Sequence, residues 1–392
     1  MSWNFGKVSD IGDVISGFAF KSTWFGEGSA KVIRIGDLKD GLIEIDGAVS
    51  FDSSQHRVKE QFKIKNGDIL MALSGATVGK IAVADSSVEG AYLNQRVAII
   101  RGRKPEHCKY LKHVFSGSLL QKLLMNAGGA AQPNLSPKDL ASMEIPLPPL
   151  AEQKRIASIL DKADAICRKR QQAIDLADEF LRAVFLDMFG DPVTNPKNFP
   201  VGTIRDFVET ANYGSSAKAS EVDGKYPILR MGNITYSGAI DMTDLKYIDL
   251  SEKDKPKYLV TKGDLLFNRT NSKELVGKTA VYDGENSVAI AGYLIRVRTN
   301  DKGNTHYISG YLNSAHGKVT LQNICKSIVG MANINAQEMQ DIPILIPPVD
   351  LQNKYRDIVL SVKEKLTKHQ KALTFNSDLF GSLSQKAFSG NL

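Results

Sequence analysis

Two stretches of the chain place apolar residues at alternating steps of four and three, which is the period of a coiled-coil seam. After Pro149 no proline or glycine occurs before Gly190, and Pro192 follows, in the order that ends a helix. We therefore predict a central spacer helix in 150–190 and a C-terminal one in 349–392. The main seam positions are Ile156, Leu160, Ala163, Arg170, Ile174 and Leu181 in the first stretch, and Tyr355, Val359, Val362, Leu366, His369 and Leu373 in the second.

A helix with so narrow an apolar stripe must pair with another element, and the other copy is the simplest partner. A seam of roughly 34 residues spans about 50 Å. We expect the two helices to pack as an antiparallel coiled coil about a pseudo-two-fold axis. Arg170 and His369 occupy equivalent seam positions, so we predict a polar layer near the helix midpoints that helps to set the register.

The rest of the chain also repeats, at a shift of 196 to 199 residues. "KVIRIGDL" aligns with "PILRMGNI", which places Arg34 over Arg230, and "IKNGDILMAL" aligns with "VTKGDLLFNR". "VGKIAVAD" aligns with "VGKTAVYD", and "NLSPKDLASMEIPLPPLAEQ" aligns with "NINAQEMQDIPILIPPVDLQ". Because four blocks keep their order over so long a period, we infer duplicated domains rather than a solenoid.

Each globular part is predicted to be mixed α+β. In the first part, 68–73, 80–84 and 96–101 are β-rich runs bounded by turn residues. A helical pattern follows Pro105, and the second copy has one over 306–324. The predicted organisation is therefore one globular domain in 1–149, the central helix in 150–190, a second globular domain in 191–348 and the C-terminal helix in 349–392.

Composition narrows the class of protein. The 392 residues include 42% hydrophobic and 24% charged residues, with no apolar run of membrane-spanning length and no signal-peptide pattern. We expect a soluble, cytoplasmic protein with no membrane partner. The net charge of +7 is spread along the chain rather than gathered in a basic tail. It permits an anionic partner such as DNA but would not attract one by field strength alone.

Residue patterns for catalysis or metal binding are missing from the sequence. Lys80 and Lys278 each follow a glycine, but neither segment satisfies the phosphate-loop pattern, and a turn repeated in both domains explains them better. The three cysteines lie far apart, and the six histidines show no ligand spacing. No dinucleotide-binding fingerprint follows a strand. We therefore expect a binding protein with no catalytic residues and no metal site.

The repeated segments carry a family resemblance. "GDILMALSGATVGKIAV", "YLNQRVAII", "GGAAQPNLS" and "IPLPPLAEQKRIASILDKAD", with a degenerate second copy, resemble the DNA specificity subunit of type I restriction-modification systems. The resemblance covers essentially the whole chain. It implies two target recognition domains that each read one half of a split, asymmetric site in double-stranded DNA, held apart by the paired helices.

The same resemblance implies partners. Two methyltransferase subunits would bind the helices and neighbouring faces, and two restriction subunits with translocase and nuclease activity would join for cleavage. S-adenosylmethionine and ATP would then be bound by those subunits, with no cofactor in this chain. A non-reading coiled-coil adaptor, or an inactive or orphan specificity subunit, is the alternative interpretation.

The family has no fixed base-contact motif, so the DNA-contact candidates rest on side-chain chemistry. Arginine and lysine suit guanine, and asparagine and glutamine suit adenine, when loops present them. "NRTNSK" in the second copy replaces "ALSGAT" of the first and is the strongest base-reading candidate. The candidates are Lys21, Ser22, Arg34, Ser74, Thr77, Gln95, Arg96 and Gln132 in the first domain, and Lys218, Arg230, Asn268, Arg269, Thr270, Asn271, Ser272, Lys273 and Asn335 in the second.

Alternatives stay open for all of these positions. Any single candidate could instead contact a phosphate or lie in a solvated turn, and Arg34 and Arg230 could form scaffold salt bridges. Glu152, Gln153 and Gln352 at the helix starts are candidates for partner binding, with capping of the helix as the alternative.

Overall fold

The computed structural model describes residues 3–39, 41–116, 120–121, 135–328 and 330–392. They divide into two compact units, unit 1 with Met1–Arg170 and Lys371–Leu392, and unit 2 with Gln171–Gln370. The first long helix, α4 (Leu150–Phe189), begins in unit 1 and ends in unit 2. The second, α9 (Val349–Ser389), begins in unit 2 and ends in unit 1. Each unit therefore contains the start of one long helix and the end of the other.

Unit 1 is built on a four-stranded antiparallel sheet in the order β2-β10-β7-β8 and a smaller sheet in the order β6-β3-β9. Its short helices are α1 (Val8–Ile11), α2 (Pro105–Val114) and α3 (Pro137–Ser142). Its strands are β1 (Phe5–Lys7), β2 (Gly12–Ser16), β3 (Phe25–Ile33), β4 (Leu38–Lys39), β5 (Leu42–Ile43), β6 (Val49–Phe51), β7 (Ile69–Ala72), β8 (Ile81–Val83), β9 (Tyr92–Leu93), β10 (Val97–Gly102) and β11 (Glu144–Pro146).

Unit 2 repeats this plan with sheets in the orders β13-β21-β17-β19 and β15-β14-β20-β16, and adds the sheet β18-β23-β22. Its short helices are α5 (Lys255–Tyr258), α6 (Thr305–Asn313), α7 (Ala315–Ile324) and α8 (Ala336–Gln340). Its strands are β12 (Val201–Thr203), β13 (Val208–Tyr213), β14 (Tyr226–Leu229), β15 (Lys246–Ile248), β16 (Leu259–Val260), β17 (Leu265–Asn268), β18 (Thr270–Asn271), β19 (Thr279–Val281), β20 (Val288–Ile290), β21 (Leu294–Thr299), β22 (Lys326–Ile328), β23 (Met331–Asn333) and β24 (Pro343–Leu345).

The predicted mixed α+β class, with a long helix after each globular part, is confirmed. The single helix predicted over 306–324 is wrong, because the chain breaks into α6 and α7 at Ser314. The Ser314 side chain accepts a hydrogen bond from the amide of Gly317 at 3.1 Å and caps α7. A side chain at Gly317 would collide with the Tyr311 carbonyl, 2.2 Å from the Cβ position, so this tight junction requires glycine.

The two long helices run antiparallel where they pack in each unit. In unit 1, Ile156 and Leu160 near the start of α4 share a core cluster with Ala387 and Phe388 near the end of α9. In unit 2, the ring of Phe185, near the end of α4, lies 5.4 Å from the ring of Tyr355 at the start of α9. Each pair of helix segments thus closes the core of its own globular part.

The predicted seam positions face inward to different degrees. Ile156, Leu160, Tyr355 and Val359 are buried, and Ala163, Arg170, Ile174, Leu181, Val362, Leu366, His369 and Leu373 are half-buried. Arg170 belongs to unit 1 and His369 to unit 2, and the polar layer that they were expected to form stays a prediction.

The recurring glycine-lysine pairs mark a repeated turn. Gly79 and Gly277 both have positive φ angles, 81° and 80°, in the left-handed region that favours glycine. A side chain at Gly277 would also meet Leu321 at 2.7 Å. Backbone geometry therefore accounts for the glycine in both copies.

The glutamines at the helix starts are interior side chains, which corrects the expectation that they bind a partner. Gln352 is fully buried; its amide nitrogen donates to the carbonyls of Lys302 (3.0 Å) and Pro347 (2.9 Å), and its oxygen accepts from the amide of Asn304 at 2.9 Å. Gln153 is also buried and donates to the Pro148 carbonyl at 2.8 Å. Both glutamines hold the proline loop against the helix that follows it.

Glu152 lies one residue before Gln153 and is partly exposed. Its carboxylate accepts from the Arg155 guanidinium at 2.8 Å, one turn along the same helix. The pair is local to α4, and an exposed i,i+3 pair of this kind stabilises a helix only slightly.

We expect Gln352→Ala to destabilise the protein more than Gln153→Ala. The first change leaves the buried Pro347 carbonyl, the partly buried Lys302 carbonyl and the buried Asn304 amide without their partner, at a cost of about 2–4 kcal/mol. The second change removes one hydrogen bond worth about 1 kcal/mol. Denaturant unfolding of the two variants measures both values. Equal losses would show that the three contacts of Gln352 carry no more stability than the single contact of Gln153.

Candidate nucleic-acid interface

The DNA-contact candidates of unit 1 collect at one end of its four-stranded sheet. Strand β2 ends there, because Ser16 pairs with Ala98 at the start of β10. Strand β7 ends there too, because Ala72 pairs with Val97. The loops that leave this end are therefore neighbours.

Backbone hydrogen bonds join these loops. The Gln95 amide donates to the Phe18 carbonyl at 2.9 Å, and the Leu73 amide donates to the Arg96 carbonyl at 3.0 Å. A side chain at Gly17 would meet the Asn94 carbonyl oxygen at 2.0 Å, so the two loops touch backbone to backbone. The exposed or half-exposed candidates on these loops are Lys21, Ser22, Ser74, Thr77, Gln95 and Arg96.

Arg34 follows the last residue of β3 in the smaller sheet and lies near the same end of the four-stranded sheet. The Asn94 amide donates to the carbonyl of Ile33, the last residue of β3, at 3.0 Å. The Arg34 side chain is 45% exposed and lies 3.9 Å from Asp37, so its ion pair is loose. Gln132 lies outside the described residues.

Unit 2 builds the same sheet end from equivalent strands. Tyr213 at the end of β13 pairs with Ile295, and Asn268 at the end of β17 pairs with Leu294. The Arg269 amide then donates to the Tyr293 carbonyl at 3.0 Å, as the Leu73 amide does to Arg96 in unit 1.

Half of the segment "NRTNSK" is strand, which corrects the expectation that the whole segment forms a base-reading loop. Asn268 is fully buried, and Thr270 is 8% exposed. Thr270 and Asn271 form β18, which pairs with β23, and the Thr270 hydroxyl accepts from the Asn333 side chain at 2.8 Å. Asn268 and Thr270 therefore belong to the scaffold.

The more exposed part of this segment begins at Asn271, the last residue of β18. Asn271 and Ser272 are half-buried, and Lys273 is exposed. The Asn271 side chain accepts from the Ser272 amide at 2.9 Å, which leaves its NH₂ group available to a ligand. These three side chains remain candidates for contact with DNA.

Arg269 is held in a defined position at the sheet end. Its guanidinium lies 4.8 Å from the centroid of the Tyr213 ring, a cation–π contact, and donates to the Asn333 side chain at a long 3.4 Å. The guanidinium carries five N–H donors in a planar fork. Most of its hydrogen-bonding capacity is therefore unused, and the stacked ring restricts the directions in which it points.

A cleft of about 1040 Å³ adjoins this end of unit 2. Arg230 lines it and donates to the Asp244 carboxylate at 2.7 Å, so Arg230 forms the scaffold salt bridge that the sequence left open. Lys278 lines it as well and donates to the Met231 carbonyl at 2.9 Å. Burial lowers the pKa of Lys278. Both cations are thus anchored in the cleft wall.

Asn335 has a structural role, and its predicted DNA contact stays a prediction. Its side chain accepts from the amides of Gln337 (2.8 Å) and Glu338 (2.9 Å) and caps α8. Ser136 caps α3 in the same way, accepting from the Asp139 amide at 3.1 Å. The capping box, with an acid three residues after the cap, was readable from the sequence in both copies.

Lys218 remains a candidate for contact with DNA. It is exposed on the loop after β13, at the position equivalent to Lys21 after β2. Sequence reasoning missed Tyr213 and Tyr293, because a lone tyrosine in a β-rich segment gives no signal; Tyr293 is 53% exposed beside Arg269.

The two sheet ends present different chemistry on equivalent strands. Unit 1 has the buried Leu73 just after β7 and the exposed Arg96 just before β10, whereas unit 2 has Arg269 just after β17 and Tyr293 just before β21. Within the residues that the structure describes, no group of three or more His, Cys, Asp or Glu side chains could hold a metal ion. None of the described helices is long and apolar enough to cross a membrane.

Residues 1–176 and 196–374 match the family model described as the type I restriction modification DNA specificity domain. The type I restriction enzyme EcoKI specificity subunit of Escherichia coli (strain K12) is 26% identical over 420 residues, covering 100% of this chain and 89% of that protein. The StySPI specificity subunit of Salmonella potsdam is 25% identical over 423 residues, with the same coverage of 100% and 89%.

The fold is similar to that of a solved structure. The type I restriction-modification system S subunit from M. genitalium superposes with a TM-score of 0.61 at 16% identity, covering 99% of this chain and 96% of that one. Because the family model matches the chain twice and over most of its length, this chain belongs to the type I restriction modification DNA specificity family.

Proposed function

We propose that this chain recognises a split, asymmetric site in double-stranded DNA, and that the sheet end of each unit reads one half. The observation that carries the proposal is the difference between equivalent sheet ends. One scaffold is used twice, but the buried Leu73 and the exposed Arg96 of unit 1 are replaced in unit 2 by the half-buried Arg269 and the exposed Tyr293. Two readers of different chemistry suit two half-sites of different sequence.

The long helices supply the spacing that such a reader requires. Half-sites on one face of B-DNA are separated by about 34 Å for each helical turn. A 40-residue helix such as α4 is about 60 Å long and stiff enough to act as a spacer. The modest net charge of +7 is consistent with partner subunits that supply many of the phosphate contacts.

We also propose that catalysis resides in partner subunits. In this arrangement, methyltransferase subunits bind S-adenosylmethionine, restriction subunits use ATP, and this non-catalytic chain directs both to the site. The names of the relatives support a subunit role, since each is called the specificity subunit of a restriction enzyme.

Exposed apolar pairs on the long helices support two equivalent partner sites. Leu176 and Phe180 on α4 are 53% and 52% exposed, and Phe375 and Leu379 on α9 are 67% and 45% exposed. The pairs are equivalent under the 199-residue shift that aligns the helices, and neither belongs to the predicted seam. An apolar pair at i and i+4 presents one contact surface, so its recurrence suits two copies of one partner. We assign these surfaces to the two methyltransferase subunits.

Methylation-aware long-read sequencing tests the function. Cells that express this chain with its cognate methyltransferase should show a split adenine-methylated motif that is missing when the methyltransferase is expressed alone. If the complex assembles and no motif appears, the chain is an adaptor or an inactive relative.

Arg269→Ala should relax discrimination at one half-site by about 1–3 kcal/mol per base pair read. Binding to a panel of duplexes with single substitutions measures this, with the assembled complex as the binder. Lys262→Ala is the matched control, because Lys262 is exposed at the opposite end of β17 and pairs only with Glu285 among the contacts described. Uniform weakening on every duplex would show that Arg269 contacts the backbone and does not read sequence.

Leu176→Ser with Phe180→Ser should remove one methyltransferase subunit from the complex, and Phe375→Ser with Leu379→Ser should remove the other. Burying one leucine or phenylalanine stabilises a contact by about 1.5–3 kcal/mol, so each double change should weaken binding by at least tenfold. Native mass spectrometry counts the bound subunits. Val222→Ser, at an 82% exposed loop position, is the control and should keep both subunits. Retention of two subunits by both double variants would rule out these surfaces.

A further inference from the structure

In unit 1 the globular part contributes the bases and the long helix contributes the acids of one ionic contact. Lys112 on α2 donates to Asp161 at 3.0 Å and to Asp164 at 3.1 Å, both on α4. His113 Nε2 lies 2.9 Å from the same Asp161 carboxylate. Burial by itself raises the pKa of Asp161, but the neighbouring Lys112 and His113 lower it below its ordinary value.

In unit 2 the signs are reversed. Asp283, just after β19, accepts from Lys363 of α9 at 2.6 Å and lies 3.1 Å from His306 Nε2. Here the globular part contributes the acid, together with its own His306, and the long helix contributes the lysine. Burial by itself raises the pKa of Asp283, yet His306 and Lys363 hold it below its ordinary value, so the carboxylate is charged at neutral pH.

The opposite charges occupy one equivalent helix position. The alignment that places Gln153 over Gln352 also places Asp164 over Lys363. The four side chains of the two ion pairs, Lys112, Asp164, Asp283 and Lys363, are only 22–32% exposed. Charges that are partly removed from water interact more strongly than exposed ones, so the sign at this position affects packing.

We propose that this reversed ion pair assigns each recognition domain to its own helix. The face of the first domain fits a helix with an acid at this position, and the face of the second fits a helix with a base. A domain placed on the wrong helix would bring Lys112 against Lys363, or Asp283 against Asp164. Like charges in a half-buried contact penalise that arrangement, which is how a protein discriminates against a wrong partner.

If the proposal holds, charge limits which domains can be exchanged between specificity subunits. A domain that carries a base at this face can replace the first domain of this chain, and one that carries an acid can replace the second. The order of the two readers along the chain is thereby fixed by charge as well as by covalent connection. This inference rests on the fold of each unit and is independent of whether the sheet ends read DNA.

A full-length chimaera tests the proposal. In it, residues 191–348 are replaced by a second copy of residues 1–149, so that Lys112 of the inserted copy faces Lys363. Lys363→Asp should raise the melting temperature of the chimaera by about 2–4 °C and lower that of the natural chain by a similar amount. Lys368→Asp is the control, because Lys368 forms an exposed pair with Glu364 one turn away and should shift both chains alike.

The sign of the shift decides the outcome. Opposite shifts with Lys363→Asp support the proposal, as does a chimaera that folds only with that substitution. A lowered or unchanged melting temperature in both chains overturns it.

If no chimaera folds, charge reversal in the natural chain tests the proposal instead. Asp283→Lys and Lys363→Asp should each lower the melting temperature, and the double variant should recover most of the loss. A double variant no more stable than either single variant overturns the proposal.

Discussion

Each unit depends on the packing of a globular part against segments of both long helices. Phe185 and Phe189 from the end of α4 meet Tyr355 from the start of α9 and Tyr307 from α6, and all four rings are buried. In unit 1, Tyr110 of α2 meets Phe388 near the end of α9. The narrow seam of each helix would leave apolar side chains in water without this packing. Within each unit, the sheets and the helix segments are therefore stabilised together.

Much of this architecture was readable from the sequence because its causes are local. The seam period defined both long helices, and the 196 to 199-residue shift defined the repeat. The break at Ser314 escaped notice because the apolar pattern continues across it, although the serine cap and the adjacent glycine were visible. The strand at Thr270 and Asn271 could not be predicted, since its cause is pairing with β23, more than 60 residues away in sequence.

In the candidate site, too, some residues could be predicted from local sequence signals and others could not. Lys21, Gln95, Arg96 and Lys218 follow turn signals and lie on exposed loops. Asn335, Gln153 and Gln352 are polar residues whose side chains satisfy nearby backbone groups, and residue type alone does not separate such a role from ligand contact. Tyr213 gains importance only from its position under Arg269, which three-dimensional structure alone supplies.

The two units also differ in how the chain assembles them. Unit 2 is one continuous segment, but unit 1 joins both ends of the chain, with the Trp3 indole donating to the Ala387 carbonyl at 2.6 Å and Arg155 donating to Leu392 at 3.1 Å. During synthesis from the N-terminus, every residue of unit 2 leaves the ribosome before unit 1 has its last helix segment. Unit 1 therefore completes its core last, through contacts that span nearly the whole chain and close slowly. A chain that is cut short at its C-terminal end therefore loses the closure of unit 1 rather than that of unit 2.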